Sequence, residues 1–439
     1  MKKLFLCILY SSALWASSLQ EVWELLEQNS DGLKAQTQSI EIAKSKKESA
    51  KSMYLPSVSF TGSYTHLSDP LKIEDKIDLP LNLGVVPFRV DLTKQDIFLA
   101  DLHALWPLYT GGKIDAAQDI YAAGVDEAKA LKEMKKDAEF LELVKFYYGV
   151  VVSKSLYETR KQSQKALQQH YKNATKLYEN GQVANVELLH AKVKLDNARI
   201  ETTKAKHNYE IALAALENLA KQKVVPSSTL FVNDSQANAS EYENATQENA
   251  AALKVLDAKQ KQTQALTHVK EASWLPDIVG FANYNLYKDD SIISQTLPTW
   301  FAGVMVKIDL IQRKDRSQEI QSAKMLQRKV HYLKEEALEK LSLLVTKTYK
   351  EMLSAKEEYE ALGSSIALAK ENFKLRQISF KEGLSTSVEL TEAQTLLLGA
   401  QTKRLNAAYT YEQKLAQLCV LSGEREKFFE FAREQENEK

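Results

Sequence analysis

A stretch of 66 residues without proline, from Lys113 to Tyr178, most constrains how this chain can fold. It is rich in Ala, Leu, Lys and Glu, which are strong helix formers. As one α-helix it would be roughly 100 Å long, since each residue adds about 1.5 Å. A helix of this length is longer than the diameter of a single small globular domain. The stretch therefore predicts a rod that packs lengthwise against other helices.

Asn180 and Gly181 end this stretch and predict a helical hairpin turn, and we expect Gly181 and its later equivalent Gly383 to adopt the left-handed conformation. Beyond the turn, apolar and small residues recur at alternating spacings of three and four. They are Leu188, Ala191, Leu195, Ala198, Thr202, Ala205, Tyr209, Ala212, Leu216 and Leu219. This spacing is typical of a coiled-coil seam, so the returning helix is predicted to pack against a neighbouring helix.

The N-terminus has the pattern of a secretory signal peptide over residues 1–18. Two lysines precede a short apolar run from Leu4 to Tyr10, and small residues at Ala16 and Ser18 offer two cleavage sites. The mature protein is therefore expected to leave the cytoplasm. Cys419 is then the only cysteine left, so no disulfide forms within the chain, and we expect it to be a buried core residue.

Composition argues against several functional classes. The formal net charge is +0, so the chain lacks the basic field that holds nucleic acid. Its 7 histidines are dispersed without metal-ligand spacing and are expected on the surface, and no nucleophile or phosphate-binding motif occurs. We therefore expect no enzyme activity, no cofactor, no metal and no nucleic-acid partner.

Four segments alternate apolar and polar residues with the period of a β-strand, at about 57–66, 97–107, 277–287 and 300–310. In the first, Val58, Phe60 and Tyr64 alternate with Ser and Thr. After the signal peptide no stretch approaches the ~18 apolar residues of a membrane helix, so strands would have to make any membrane contact. The segment 67–95 contains three prolines and is predicted to be a loop.

The chain repeats itself. Met53–Pro56 matches Ser273–Pro276 at an offset of 220, and Gly181 and Glu187 match Gly383 and Glu389 at an offset of 202. We divide the chain into a signal peptide (1–18), a first repeat (19–222), a linker (223–242), a second repeat (243–423) and a charged C-terminal tail (424–439). Four strands cannot close in lipid without leaving unsatisfied backbone groups, so an oligomer is expected.

Together these features resemble the TolC-like outer-membrane efflux factors of Gram-negative bacteria. The resemblance spans the mature chain and rests on the duplicated layout, the Leu-Pro that opens each first strand, and the exit from Trp106 to Gly112. Both copies also share the hairpin pattern Tyr/Phe-x-x-Gly-x4-Val-Glu-Leu-x-x-Ala. It implies a mainly α fold with a small β part, in which duplicated long hairpins form a trimeric periplasmic α-barrel. Four strands per chain would contribute to a shared outer-membrane β-barrel.

The resemblance implies a homotrimer in the cell outer membrane, in contact with its lipid and extending into the periplasm. It would be the exit duct of a tripartite efflux system, conducting substrates passively from a periplasmic adaptor (membrane fusion protein) and an inner-membrane transporter. Two alternatives stay open. The same fold serves type I protein secretion, and an exported coiled-coil spacer or adhesin would have no pore.

The resemblance also implies site residues at the two hairpin tips. A ring of acidic residues that narrows the pore would fall on Glu389, Glu392 and Glu187, although acids near a helix N-terminus are also favourable without any such role. Contacts with the adaptor would be made by Gly181, Val186, Leu188, Gly383, Val388 and Leu390. Family members often link the tip through a Tyr and an Arg. Here Phe380 and Ser385 replace them, so closure must use other contacts.

Overall fold

The computed structural model describes residues 16–78, 80, 84–233, 238–311 and 314–437. The predicted signal peptide therefore lies mostly outside the described residues. The chain folds into two compact units. Unit 1 comprises Met1–Ser39, Ala128–Val255 and Lys334–Lys439, and unit 2 comprises Ile40–Glu127 and Leu256–Leu333.

Helices dominate the described chain, as the sequence predicts. In chain order they are α1 (Leu19–Asn29), α2 (Asp31–Lys51), α3 (Lys113–Glu179), α4 (Asn185–Ala220), α5 (Ala239–Asn249), α6 (Ala251–Glu271), α7 (Ile292–Thr296), α8 (Arg316–Lys381), α9 (Ser387–Leu421) and α10 (Lys427–Asn437). The two longest, α3 and α8, have 67 and 66 residues. Ala191, Leu195 and Leu216 of the predicted α4 seam are buried, which confirms that the seam packs inward.

The helical segment that opens each repeat is broken into two helices. The first breaks at Ser30, whose backbone is extended, and the second at Ala250, whose ψ of 125° lies outside the helical region. The Ser30 hydroxyl accepts a hydrogen bond from the Leu33 backbone N–H at 3.2 Å and so starts the next helix. The cluster Asn29-Ser30-Asp31 consists of residues that favour capping over helix interior, which explains the first break.

The strands form three sheets. In chain order they are β1 (Ala16–Ser17), β2 (Ser57–His66), β3 (Lys72–Asp78), β4 (Val85–Asp91), β5 (Asp96–Tyr109), β6 (Val225–Pro226), β7 (Asp277–Lys288) and β8 (Trp300–Lys307). Unit 2 contains an antiparallel sheet with strand order β2-β5-β7-β8. Within the described chain, β2 and β8 are its two edges. In unit 1, β1 pairs with β6 in parallel.

The register of the four-stranded sheet gathers its apolar residues on one face. Phe60 lies opposite Leu102, Leu102 opposite Tyr284, and Tyr284 opposite Trp300. Directly paired residues share a face, and so do residues two apart along a strand. This apolar sheet face therefore contains Val58, Phe60, Gly62, Tyr64, Phe98, Ala100, Leu102, Ala104, Trp106, Ile278, Gly280, Ala282, Tyr284, Trp300, Ala302, Val304 and Val306. It is continuous from edge to edge.

The segment 67–95 is not a plain loop, contrary to our expectation. Within it β3 and β4 form an antiparallel hairpin in which Ile73 pairs with Val90 and Ile77 with Val86. Because of its prolines, we interpreted this alternating segment as a loop. Pro87 is compatible with β4 because each strand of a two-stranded ribbon has a free edge, where a missing N–H donor costs no ladder hydrogen bond.

Aromatic side chains form the main core of unit 1. The Trp23 and Phe140 rings meet edge to face with centroids 5.4 Å apart, and Phe140 meets Phe428 and Phe429 at 5.8 and 5.4 Å. Cys419 is buried beside them, as predicted, and burial raises the pKa of its thiol to about 12.

Two segments that we expected to be a polar linker and a charged tail contribute to this core. Phe231 is buried, and its backbone N–H donates to the Glu412 carboxylate at 2.7 Å. Burial raises the pKa of Glu412 well above its usual range. In the expected tail, α10 buries Phe428 and Phe429. Charged and polar residues outnumber these phenylalanines in both segments, so the composition predicted a linker and a tail and not core segments.

Candidate functional site

The two helical hairpins of unit 1 turn with the same backbone geometry. Gly181 and Gly383 have φ angles of 70° and 73°, the left-handed conformation that the sequence predicts. In each turn the backbone N–H of the residue after the glycine donates to the carbonyl five residues earlier: Gln182 donates to Leu177 and Leu384 donates to Ser379, both at 2.8 Å. This pattern ends a helix and reverses the chain.

Glu389 is bound into the start of its own helix. It forms a capping box with Thr386, whose hydroxyl accepts from the Glu389 backbone N–H at 3.2 Å. Its carboxylate accepts from the Ser385 hydroxyl at 2.6 Å and the Thr386 N–H at 3.1 Å, and lies 3.3 Å from Arg376. The Ser385 hydroxyl, then the Thr386 amide and Arg376, lower the pKa of Glu389. The negative charge of Glu389 is therefore balanced by groups of its own hairpin.

Glu187, the equivalent residue in the first hairpin, binds the second hairpin instead. Its carboxylate accepts a hydrogen bond from the backbone N–H of Ser387 at 2.6 Å. Ser387 is the first residue of α9, so this amide has no partner within its own helix. The first hairpin thus caps the second, whereas Ala184 at the start of α4 provides no side-chain cap.

A buried histidine joins the same contact. His170 of α3 is 3% exposed, its Nε2 lies 2.6 Å from the Ser387 hydroxyl, and its ring meets Phe380 edge to face at 4.4 Å. Burial, and secondarily the nearby His190, lower the pKa of His170 to about 4. The imidazole is therefore neutral at neutral pH.

Our sequence analysis placed His170 on the surface, and this is wrong. The signal was present in the spacing, because His170 lies three residues after Leu167 and four before Ala174, both of which are buried. Nothing in the sequence identified Ser387 as its partner, since the two residues lie on different hairpins.

The other predicted tip residues separate into buried and exposed groups. Leu390 is 2% exposed and packs with Phe380, Ala174 and Ala191, so it is not available as a contact surface. Leu188 is half-buried against the same cluster. Val186 and Val388 are exposed, as are Gly181 and Gly383.

Glu392 differs from the other two acids. It is exposed one turn beyond Glu389, and within the described part of the chain it has no hydrogen-bond or ion-pair partner. Glu392 is therefore the one of the three predicted pore acids whose carboxylate binds no other group in the described part of the chain. No group of three or more potential metal ligands occurs among the described residues.

Comparison with known protein families assigns the chain. The model for the outer membrane efflux protein family matches residues 22–220 and 243–424, which is most of the sequence. The chain belongs to this family. No curated protein matches this efflux-family sequence. Members of the family and their structural neighbours are channels, not enzymes.

Solved channels share the fold of this efflux-family protein at low sequence identity. CusC, solved in a study of transmembrane channel formation, matches with a TM-score of 0.76 and 13% identity over 95% of both chains. The CmeC outer membrane channel of Campylobacter jejuni matches at 0.73 and 16% over 94% of this chain and 89% of that one. For MtrE of Neisseria gonorrhoeae the values are 0.74 and 16%, over 93% and 89%.

Among the described residues of this efflux-family chain, no helix combines the length and apolar character needed to cross a membrane.

Proposed function

We propose that this protein is the outer-membrane exit duct of a tripartite efflux system and acts as a homotrimer. The apolar sheet face of unit 2 carries the proposal. Phe60 is 65% exposed and Trp300 is 66% exposed at opposite edges of this apolar sheet face, and Asp96 lies only at the end of the face, where it accepts a hydrogen bond from the Tyr64 hydroxyl at 2.9 Å. Soluble monomers rarely expose contiguous apolar surface of this kind. Outer-membrane strands alternate in this way, with apolar residues outward and polar residues inward.

The sheet edges support a trimer. Within the described chain β2 and β8 each have one unpaired edge, and in lipid every unpaired backbone group is costly. Pairing β2 of one copy with β8 of the next satisfies both edges and extends the apolar face around a closed ring. That the ring contains three copies is inferred from the resemblance to the efflux-factor family.

The hairpin tips are proposed to contact a periplasmic adaptor and, through it, an inner-membrane transporter. Val186, Leu384 and Val388 project apolar side chains into solvent at the two tips. Exposed apolar residues at the end of a helical hairpin suit docking against another helical protein.

The three acids are proposed to have different roles at the pore constriction. Glu392 has a free charge, and three copies near a common axis would attract cations and retard anions. Glu389 and Glu187 instead stabilise the start of α9, because their carboxylates are bound to Ser385, Thr386 and Ser387. Selectivity is therefore assigned mainly to Glu392.

Conductance in planar bilayers tests both parts of the proposal. The protein purified in detergent should cross-link to a trimer and form cation-preferring channels. Glu392→Gln should reduce the cation preference more than Glu389→Gln does. Glu248→Gln removes the same charge from an exposed residue of α5 and should leave selectivity unchanged.

Two outcomes would contradict the proposal. A mature protein that is monomeric and soluble without detergent would refute the duct and favour the exported spacer. Unchanged selectivity in a conducting Glu392→Gln channel would remove this residue from the constriction. Deleting the gene and measuring which toxic compounds become more potent would then separate efflux from protein secretion.

A further inference from the structure

A pocket of about 410 Å³ lies within unit 1, away from the hairpin tips. Three helices and the extended segment after β6 line it, including Val151 of α3, Leu230, Ile366 of α8 and Leu405 of α9. Its volume falls in the range of about 300–1,000 Å³ that holds small molecules. The efflux function proposed above makes no use of it.

One arginine in this pocket has no counter-charge. The guanidinium carbon of Arg404 lies 4.2 Å from the centre of the Tyr359 ring, a cation–π contact. Its Nε is enclosed by protein but has no hydrogen-bond partner, and no carboxylate in the described part of the chain pairs with it. Arg425 of the same unit, by contrast, pairs with Asp137 and Glu133. A buried donor without an acceptor costs free energy that a ligand can recover.

The hydroxyl groups of Ser155 and Thr159, which line the pocket, already donate hydrogen bonds within α3. The Ser155 hydroxyl donates to the Val151 carbonyl at 2.9 Å, and the Thr159 hydroxyl donates to the Ser155 carbonyl at 2.8 Å. Gln401 lies three residues before Arg404, on the same face of α9, and also lines the pocket. Gln401 and Arg404 thus place an amide and a guanidinium on one helix face of the pocket, beside the Tyr359 ring.

We propose that this pocket binds small organic anions. A carboxylate or sulfonate would accept hydrogen bonds from Arg404 and Gln401, and an apolar body would pack against Leu230, Ile366 and Leu405. Guanidinium favours such anionic groups because its fixed fork of N–H donors can bind two of their oxygen atoms at once. A cation of the same shape is repelled, since the described lining offers no carboxylate near Arg404.

Titration calorimetry on the full chain in maltoside micelles, with a micelle blank, tests this proposal. The probes are naphthalene-2-sulfonate and, as a matched cation, 2-naphthyltrimethylammonium. We expect saturable binding of the sulfonate at one site per chain and no saturable binding of the cation. Arg404→Gln should weaken sulfonate binding by about tenfold or more. Lys403→Gln removes the same charge from an exposed neighbour and should leave the affinity unchanged.

A second variant covers the case in which Arg404→Gln fails to fold. Ile366→Trp fills the pocket without altering its charge, and it should abolish sulfonate binding while the channel conductance stays that of the wild type. Equal sulfonate affinity in the wild type and in either folded variant would overturn the proposal. So would the absence of saturable sulfonate binding to the wild type, or equal binding of the cation.

Discussion

The two hairpin tips of unit 1 have the same turn and different helix starts. Both turns place glycine in the left-handed conformation and close with the same hydrogen bonds. The start of α9 is then held by Thr386, by Glu389 and, from the other hairpin, by Glu187 and His170. The start of α4 has no side-chain cap.

Equivalent positions show how this difference arose. At the offset of 202, Ala184 matches Thr386, Tyr178 matches Phe380 and Glu187 matches Glu389. In the second repeat Glu389 caps its own helix, α9. In the first repeat the equivalent Glu187 also caps α9, which belongs to the other repeat. A duplicated sequence therefore keeps the turn, which is local, while its side chains take up unequal roles. We infer that the second tip is anchored and that the first tip is the more easily moved.

The largest expected effect comes from the aromatic residue three positions before each glycine. Phe380 is 1% exposed and Tyr178 is 42% exposed. Phe380→Ala should cost about 3–5 kcal/mol of local stability because it leaves a cavity, and Tyr178→Ala should cost about 0.5 kcal/mol. Hydrogen exchange of the tip amides measures both. Equal costs would show that the two tips are equally anchored.

Acidification should loosen the second tip through His170. Its folded pKa of about 4 lies below its unfolded value of 6.5, so the stability it contributes above pH 6.5 is lost as the pH falls towards 4. Between pH 7 and 5 we expect a loss of about 2 kcal/mol at the contact with Ser387. His170→Gln should flatten this profile, while His207→Gln, at an exposed site of α4, should preserve it. An unchanged profile in folded His170→Gln protein would exclude His170 as the source.

The two glycines should behave alike. Gly181→Ala and Gly383→Ala each force a left-handed alanine and should each cost about 1 kcal/mol. No atom lies within 4 Å of a Cβ built at either position, so the cost is conformational in both. The measurement is the opening free energy of each turn from hydrogen exchange. A cost that differs between the glycines by more than that amount would show that the turns are not equivalent.

The effects of the helix caps should be no larger than those of the glycines. Thr386→Ala removes the α9 cap and should cost about 1 kcal/mol, whereas Ala184→Thr should add a cap to α4 and stabilise its first turn by a similar amount or less. Exchange of the first-turn amides of each helix gives the comparison. If Ala184→Thr protected those amides no better than Ala184→Val, the missing cap would not explain the looser first tip.

Much of the fold was predictable because it depends on local periodicity. The lengths of α3 and α8, the positions of the four strands of the apolar sheet face and the glycine turns follow from proline, glycine and apolar spacing. The hairpin of β3 and β4 was missed because its prolines outweighed its alternation. The packing of α10 was missed because charged residues outnumber Phe428 and Phe429, although those two rings decide where the helix lies.

The sequence by itself determined the elements and their duplication, since helix, strand and turn signals act over a few residues. Only the tertiary structure decided which acids are free. Glu187, Glu389 and Glu392 look alike in the sequence, but two of them are bound by backbone and hydroxyl donors and the third is not. A hydrogen-bond partner from 200 residues away is chosen by packing, and no local pattern records it.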